Sequence, residues 1–258
     1  MISKRTIFCD FDGPIVDVSE RYYKTYLAGL QEFQLSHSAD GRSPSIQPMT
    51  KQKFWEMKQH RVPDSEIAIR SGLKEQETDS FLARVKHLVN KPHLLHYDQI
   101  QPGAHWAFKL LNKQGVRLIL VTLRCQQQAT QLLHEYGLLP FFSDVYGTTN
   151  IDAAYLNGIE CKSALLKQAW QDHLYHYGRP MQAWMVGDTE ADICAGQALG
   201  MPTVAITTGV RSPSYLKKFN PSYTFDTLLN AANSLMERSP FSYASSFDTD
   251  AVRSIARC

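Results

Sequence analysis

The sequence has no long apolar stretch, and this absence excludes a membrane-spanning protein. Apolar runs such as Val116 to Val121 are interrupted by charges and are much too short to cross a bilayer. The N-terminus MISKRTIFCDFD places two cations ahead of only four apolar residues, which is too few for the apolar region of an export signal. We therefore expect a soluble, cytoplasmic protein with no membrane partner.

Paired cysteines and an excess of one charge are also missing. The five cysteines (Cys9, Cys125, Cys161, Cys194, Cys258) are odd in number and form neither a CxxC pair nor a zinc-finger pattern, which predicts reduced thiols. The formal net charge is only +2, and the basic residues are scattered among acidic ones. This charge pattern disfavours nucleic acid as a partner.

The periodicity of the first hundred residues predicts one strand followed by helices. The 258 residues, 43% of them apolar, are enough for one large domain or for a core domain that carries an insertion. The segment TIFCDFDG reads as a buried strand that ends at glycine and proline. Residues 17–98 show helical periodicity without convincing strands, and the polar segment HSADGRSPSIQP interrupts them.

From Gly103 onward, predicted helices and strands alternate. Strands are predicted in VRLILVT, SDVYG, QAWMVGD and PTVAIT, and a helix that contains Trp106, Leu110 and Leu111 and stops at Gly115 is expected before VRLILVT. This alternation is typical of a parallel sheet, so we predict a doubly wound, Rossmann-like α/β core. Such sheets bind ligands at the carboxyl ends of their strands.

Acidic residues follow two of these strands. Asp10 and Asp12 lie two apart at the end of the first strand, so their side chains point to one side of an extended chain. Asp188 ends another apolar strand, and Asp192 could either support the same site or cap the next helix. Carboxylates that lie close together require a cation or a proton, so the pattern indicates magnesium, acid–base chemistry, or both.

Two polar residues could bind an anion near these carboxylates. Thr122 ends VRLILVT, where its hydroxyl and nearby backbone N–H groups could hold a phosphate oxygen. Lys162 begins a helix and could screen the negative charge. Neither is diagnostic alone, because strand-end threonines and helix-start lysines are commonly exposed residues without a role.

In chain order, DFDGPIVD, LILVT, Lys162 and GDTEAD resemble the four signature motifs of the haloacid dehalogenase superfamily. The resemblance covers roughly residues 5–230, and the helical segment between the first two motifs is similar to the branch of phosphoglycolate phosphatases and β-phosphoglucomutases. Periodicity and resemblance together predict an α/β core in residues 1–16 and 99–237, a helical cap in 17–98, and a flexible tail in 238–258.

The resemblance implies a phosphatase that acts on a small phosphorylated metabolite. Asp10 would be the nucleophile that forms an aspartyl-phosphate. Asp12 would protonate the leaving oxygen and then activate water, while Thr122 and Lys162 would bind the phosphate. Fixed cations would stabilise the negative charge that accumulates on the phosphoryl group.

The resemblance also implies Mg²⁺ as the cofactor. Asp10, Asp188 and the backbone carbonyl of Asp12 would hold the ion, with Asp192 supporting its water shell or Lys162.

Two positions depart from the family pattern. Pro14 stands where the family usually has threonine. The segment ECKSALL lacks the lysine–proline dipeptide of the most similar branch, so Lys162 is the predicted phosphate lysine and Lys167 is its rival.

The helical cap is expected to recognise the part of the substrate beyond the phosphate, because a cap that closes over the strand ends excludes water. Lys58, His60 and Arg61, which precede a proline-defined helix boundary, are candidate substrate contacts. Arg124, two residues after Thr122, is a fourth candidate.

Three other functions are considered. Dehalogenation is disfavoured, because displacing a halide needs no protonation and would not require Asp12. A β-phosphoglucomutase-like transfer would use the same aspartyl-phosphate, and a non-catalytic binding protein on the same fold is a third reading. The sequence determines neither the substrate nor the oligomeric state.

Overall fold

The computed structural model describes residues 5–38 and 46–237, and within them the chain forms a principal sheet with helices on both faces. The predicted tail, residues 238–258, and most of the polar segment HSADGRSPSIQP lie outside the described residues. Among the described helices, none combines the length with the apolar character that a membrane crossing would need.

The described strands are, in chain order, β1 (Arg5–Cys9), β2 (Val16–Asp17), β3 (Gln99–Ile100), β4 (Arg117–Cys125), β5 (Phe142–Thr148), β6 (Gln182–Gly187), β7 (Thr203–Ile206) and β8 (Tyr223–Phe225). All except β2 and β3 form one parallel sheet in the order β5-β4-β1-β6-β7-β8. The strand order reverses beside β1, which confirms the predicted doubly wound α/β class. The edge strand β8 was not predicted, because three residues give almost no periodic signal.

The described α-helices are α1 (Ser19–Ser38), α2 (Lys51–Gln59), α3 (Asp64–Arg70), α4 (Thr78–Leu88), α5 (Pro92–Leu95), α6 (Ala104–Lys113), α7 (Gln126–Glu135), α8 (Ala153–Leu156), α9 (Ile159–Tyr177), α10 (Glu190–Ala198), α11 (Pro213–Leu216) and α12 (Leu228–Glu237). Short 3₁₀ turns occur at residues 75–77, 139–141 and 217–219.

The central strand β1 is buried on both faces of the sheet. Ile7 and Cys9 pack into the cluster that contains α6, α7 and α12, whereas Phe8 points to the opposite cluster with α9 and α10. Successive side chains of a strand alternate between faces, so a strand covered on both sides is apolar throughout. This explains the continuous apolar run of TIFC.

Helices α1 to α5 form the insertion between β2 and β3. The two strands pair antiparallel through Val16 with Ile100 and Asp17 with Gln99, so they hold the two ends of the insertion together. Gln101 donates its backbone N–H to Ile15 O and its side-chain amide to Gly13 O, both at about the usual hydrogen-bond length. The return from the insertion is therefore fastened beside the first acidic motif.

Helix α6 buries a face that does not include Trp106. Trp106 is 67% exposed, while Ala104, Ala107, Phe108 and Leu111 form the buried face at the i, i+3, i+4, i+7 spacing of a helix. The sequence predicted this helix but not its buried face, because apolar character alone does not show which of two overlapping stripes faces the core.

We expect Phe108→Ala to lower the free energy of unfolding by about 3–5 kcal/mol, because it removes a fully buried ring from the core. Trp106→Ala on the same helix should change it by less than about 1 kcal/mol, since that ring is largely exposed and has the Lys109 ammonium over it in a cation–π interaction. Urea unfolding followed by circular dichroism measures both values. Equal losses in the two variants would contradict the described packing of α6.

Candidate active site

The predicted motifs meet at the carboxyl ends of three neighbouring strands. Asp10 follows β1, and Asp188 follows β6. Thr122 lies in β4, at the place where the register of β4 with β5 shifts, between Val121 and Cys125. The strand prediction ended β4 at Thr122, but the strand continues to Cys125. These ends line a cleft to which the insertion and two further segments of the core also contribute. Its residues are Asp10, Asp12, Tyr22, Lys58, Arg61, Thr122, Leu123, Arg124, Ala154, Tyr155, Asn157, Asp188, Thr189, Val210 and Arg211.

Lys162 is buried beside the predicted nucleophile. Its Nζ lies 2.7 Å from Asp10 Oδ1 and 2.8 Å from Asp192 Oδ1. Burial acts to lower the pKa of Lys162, but the two carboxylates outweigh it and hold this pKa above its ordinary value. Lys167, the rival, is exposed on α9. The fold therefore brings Lys162, and not Lys167, to Asp10.

Three buried carboxylates lie together at this end of the sheet. One oxygen of each of Asp10, Asp188 and Asp192 lies within 4.8 Å of the others. Burial, with a contribution from Asp192, raises the pKa of Asp10 to about 7 even though Lys162 acts in the opposite direction. Burial and the two neighbouring carboxylates also raise the pKa of Asp188 well above its ordinary value. The cluster is therefore costly as three free anions.

These residues fit a divalent cation. Three carboxylates and the Lys162 ammonium leave two negative charges in a buried site. Asp188 Oδ2 accepts a hydrogen bond from Val210 N at 2.6 Å, whereas Asp188 Oδ1 is buried and has no hydrogen-bond partner among the described residues. Carboxylate oxygens are the ligands that hard divalent cations prefer. The side chain of Asp12 is not part of this cluster.

Two glycines allow the close approach of Asp188. A Cβ atom at Gly13 or at Gly209 would collide with the Asp188 carboxylate. Gly13 also has a φ of 98°, which side chains disfavour. The turn that contains Pro14 is closed by a 2.8 Å hydrogen bond from Gly13 N to Val16 O, so the turn forms without the usual threonine. Gly209 was not singled out from the sequence, since it belongs to no motif quoted there.

Asp192 acts within its helix but is not the N-cap. Thr189 caps α10, and Asp192 at the third helical position accepts hydrogen bonds from Thr189 N at 3.1 Å and Thr189 Oγ1 at 2.8 Å. This is a capping box. The other oxygen of Asp192 contacts Lys162, so α10 is fastened to the lysine that contacts Asp10.

Asp12 lies in a second group of charges, which is buried and neutral. Arg124 is not exposed at the strand end but has a side chain only 2% exposed, with Nη2 2.8 Å from Asp12 Oδ1 and 2.6 Å from Asp98 Oδ2. Arg21 Nη2 lies 3.3 Å from Asp12 Oδ2, and Arg21 Nε lies 2.7 Å from Asp98 Oδ1. Sequence reasoning missed Arg21, and it used Asp98 only as a boundary. We call these four residues the charge ring.

The three candidate contacts of the insertion lie in different surroundings. Lys58 and Arg61 line the cleft, but His60 is exposed outside its lining, with its ring hydrogen-bonded to the backbone oxygen of Glu56. Burial lowers the pKa of Lys58, although Asp64, 2.7 Å away, acts to raise it. The structure thus places two of the three beside the cleft.

Glu190 joins Arg61 to Arg211 at the cleft. Arg61 Nε lies 3.1 Å and Arg211 Nε 2.8 Å from the Glu190 carboxylate. One carboxylate shared by two guanidinium groups leaves an excess positive charge. The Arg61 side chain is 42% exposed, and its backbone has a φ of 59°. Neither Glu190 nor Arg211 was expected, because their pairing with Arg61 joins distant parts of the chain.

Sequence comparison finds relatives along most of the chain. The family described as haloacid dehalogenase-like hydrolase matches residues 7–206. The pyrophosphatase PpaX of Halalkalibacterium halodurans is 22% identical over 228 residues, which cover 86% of this chain and 93% of that relative. PpaX of Listeria innocua is 24% identical over 227 residues, covering 86% of this chain and 92% of the relative.

Solved structures with the same fold support this assignment. A haloacid dehalogenase-like family protein from Streptococcus pneumoniae has a TM-score of 0.64 and 22% identity, covering 91% of this chain and 100% of its own. A HAD-superfamily hydrolase of subfamily IA, variant 1, from Geobacter sulfurreducens has a TM-score of 0.59 and 19% identity, covering 90% and 96%. Together with the family match over residues 7–206, the fold shows that the chain belongs to the haloacid dehalogenase-like hydrolase family.

Proposed function

We propose that this hydrolase is a magnesium-dependent phosphatase that acts on a small phosphomonoester through an aspartyl-phosphate. The observation that carries the proposal is the position of Asp10, which lines the cleft, contacts the buried Lys162 ammonium and shares a cluster with two further carboxylates. The relatives named pyrophosphatase support phosphorus–oxygen bond hydrolysis as the reaction class.

Asp10 is the proposed nucleophile. A carboxylate oxygen attacks phosphorus and forms an acyl phosphate, while the bond to the leaving oxygen breaks. Asp12 lines the same cleft two residues later, where its carboxyl group donates a proton to the leaving oxygen. The resulting carboxylate then removes a proton from the water that attacks phosphorus, and inorganic phosphate is released with Asp10 regenerated.

Thr122, Lys162 and Arg124 are the proposed phosphate contacts. The Thr122 oxygen accepts a hydrogen bond from Arg124 N at 3.0 Å, so its own O–H can donate to a phosphate oxygen. The Lys162 ammonium is held next to the nucleophile. Arg124 Nη1 is buried and has no hydrogen-bond partner among the described residues, although the side chain lines the cleft. Such donors favour an anionic ligand.

Mg²⁺ is the proposed cofactor. Asp10 and Asp188 would hold it with the backbone carbonyl of Asp12, and Asp192 would keep Lys162 in place beside them. When bound, the ion supplies positive charge that stabilises the transferring phosphoryl group.

Residues 17–98 are the proposed cap, with the core in 1–16 and 99–237. Lys58 and Arg61 bring positive charge from the insertion to the cleft, while Tyr22 and Tyr155 bring aromatic surface. A cleft walled in this way can exclude water and contact the part of the substrate beyond the phosphate. The proposed substrate is therefore a small phosphorylated metabolite.

Asp10→Asn should abolish phosphate release, because an amide cannot form the acyl phosphate, and the fold should be retained. Release of inorganic phosphate from a panel that includes phosphoglycolate, pyrophosphate and sugar phosphates measures the effect. Asp79→Asn, an exposed change on α4, is the matched control and should keep wild-type rates. Near-normal turnover by the Asp10 variant would remove this residue from the mechanism, and isomer formation without phosphate release would favour a mutase.

Mg²⁺ should bind more weakly as the pH falls below about 7, because protons compete for Asp10, whose pKa is about 7 in the ion-free protein. Titration calorimetry at about one pH unit below and above this value should show at least about a tenfold difference in affinity if a single proton competes.

Asp188→Asn is the control for that titration, because it removes one of the proposed ligands without changing the size of the side chain. It should show no Mg²⁺ binding at either pH. The rise in melting temperature that Mg²⁺ produces in the wild-type protein should also be absent from this variant. Equal Mg²⁺ affinity in both proteins would place the ion elsewhere.

Arg61→Ala should raise KM by about tenfold, corresponding to the loss of one charge-assisted contact to substrate, and should change kcat less. His60→Ala, which alters the adjacent residue outside the cleft lining, should leave KM unchanged. Steady-state kinetics on the best substrate of the panel measures both. An unchanged KM in the Arg61 variant would exclude it as a substrate contact.

A further inference from the structure

The charge ring offers an inference that rests on the proposed function and concerns the acid–base residue Asp12. In the ring, two carboxylates alternate with two guanidinium groups, and each arginine contacts both Asp12 and Asp98. The side chains of Arg21 and Arg124 are each 2% exposed, that of Asp98 is 0% exposed, and that of Asp12 is 12% exposed. Asp12 and Arg124 line the cleft, whereas Asp98 and Arg21 do not.

The hydrogen bonds of the ring are unequal. Arg124 Nη2 donates to Asp98 Oδ2 at 2.6 Å, and it lies 2.8 Å from Asp12 Oδ1. Arg21 Nε donates to Asp98 Oδ1 at 2.7 Å, whereas its bond to Asp12 Oδ2 is longer, at 3.3 Å. Both arginines therefore direct their shorter hydrogen bonds to Asp98. Asp12 Oδ1 accepts no hydrogen bond from any residue in the described part of the chain.

This division matters for a group that must exchange a proton with substrate. A general acid has to reach the leaving oxygen within hydrogen-bond distance, and a carboxylate tied by two guanidinium forks cannot do so freely. Asp98 provides each arginine with a second carboxylate. Asp12 is therefore held in place, while its carboxylate keeps the capacity for a further hydrogen bond. Without Asp98, two buried cations would have Asp12 as their shared anionic partner.

We propose that Asp98 is a positioning residue, which acts through Arg21 and Arg124 to keep one oxygen of Asp12 available to the leaving group. The ring also joins the insertion to the sheet. Arg21 lies on α1, Asp98 directly precedes β3, and Arg124 lies on β4. Arg21 additionally donates to Val89 O at 3.3 Å, and Tyr136 donates its hydroxyl hydrogen to Asp98 O at 2.8 Å. The orientation of Asp12 is therefore set by contacts from both parts of the molecule.

The test compares leaving groups of nearly equal shape. Phenyl phosphate needs protonation of its leaving oxygen more than p-nitrophenyl phosphate does, because phenolate is the stronger base. Asp98→Asn should lower kcat/KM for phenyl phosphate at least about tenfold more than for p-nitrophenyl phosphate, as expected for impaired general-acid catalysis. The ratio kcat/KM is the correct quantity, since it contains only the steps up to departure of the phenol. Asp12→Asn should give the same selectivity with a larger loss.

Controls separate positioning from general damage to the fold. Asp172 lies on α9, outside the cleft, and accepts a hydrogen bond from the Tyr146 hydroxyl. Asp172→Asn should lower kcat/KM for the two substrates in parallel or not at all. If Asp98→Asn fails to fold, Arg21→Lys keeps the charge and loses the forked geometry, and it should show the same leaving-group selectivity.

An equal loss of kcat/KM for both substrates in Asp98→Asn, or in Arg21→Lys if Asp98→Asn does not fold, would overturn the positioning role. It would leave the proposed phosphatase function intact. Absence of turnover in the wild-type protein would overturn both. Selectivity confined to the ring variants and Asp12→Asn supports the inference.

Discussion

The contact of the Lys162 ammonium with Asp10 and Asp192 is the interaction on which the acidic centre depends. Burying a carboxylate is costly unless a cation or hydrogen bonds compensate it. Here one ammonium serves two carboxylates, and α9 and α10 place it at the end of β1. The remaining two negative charges of the cluster are what a divalent cation would neutralise.

The molecule separates its buried charges into two groups with different balances. The cluster around Asp188 has an excess of negative charge, whereas the charge ring around Asp12 is neutral. Asp10 and Asp12 are only two residues apart, yet they belong to different groups because one faces Lys162 and the other faces two arginines. Neighbouring carboxylates can then take different chemical roles, since their surroundings differ.

The parallel sheet explains why both groups lie in one cleft. The carboxyl ends of β1, β4 and β6 are adjacent, so side chains that follow these strands meet without any local constraint between them. The insertion then adds Tyr22, Lys58 and Arg61 to the cleft, and its two ends are fastened by the β2–β3 pair and by Gln101. The cleft residues thus come from separate elements, which the β2–β3 pair and Gln101 hold together.

The sequence by itself determined the fold class and the acidic strand ends, because apolar runs and helical spacing are local patterns. It correctly predicted the alternation of strands and helices from Gly103 onward. It also singled out Asp10, Asp12, Thr122 and Asp188, which line one cleft in the structure, and Lys162, which contacts Asp10. It did not show that Trp106 lies outside the core, because a stripe of apolar residues does not indicate what covers it.

Only the tertiary structure decided which charges pair. Arg21 and Asp98 are 77 residues apart, and Arg211 and Glu190 are 21 apart, so no periodic signal connects them. Burial makes such pairs necessary, since an unpaired buried charge is strongly unfavourable, but burial itself exists only after the chain has folded. For the same reason Arg124, which as a strand-end arginine would commonly be exposed, has a side chain only 2% exposed.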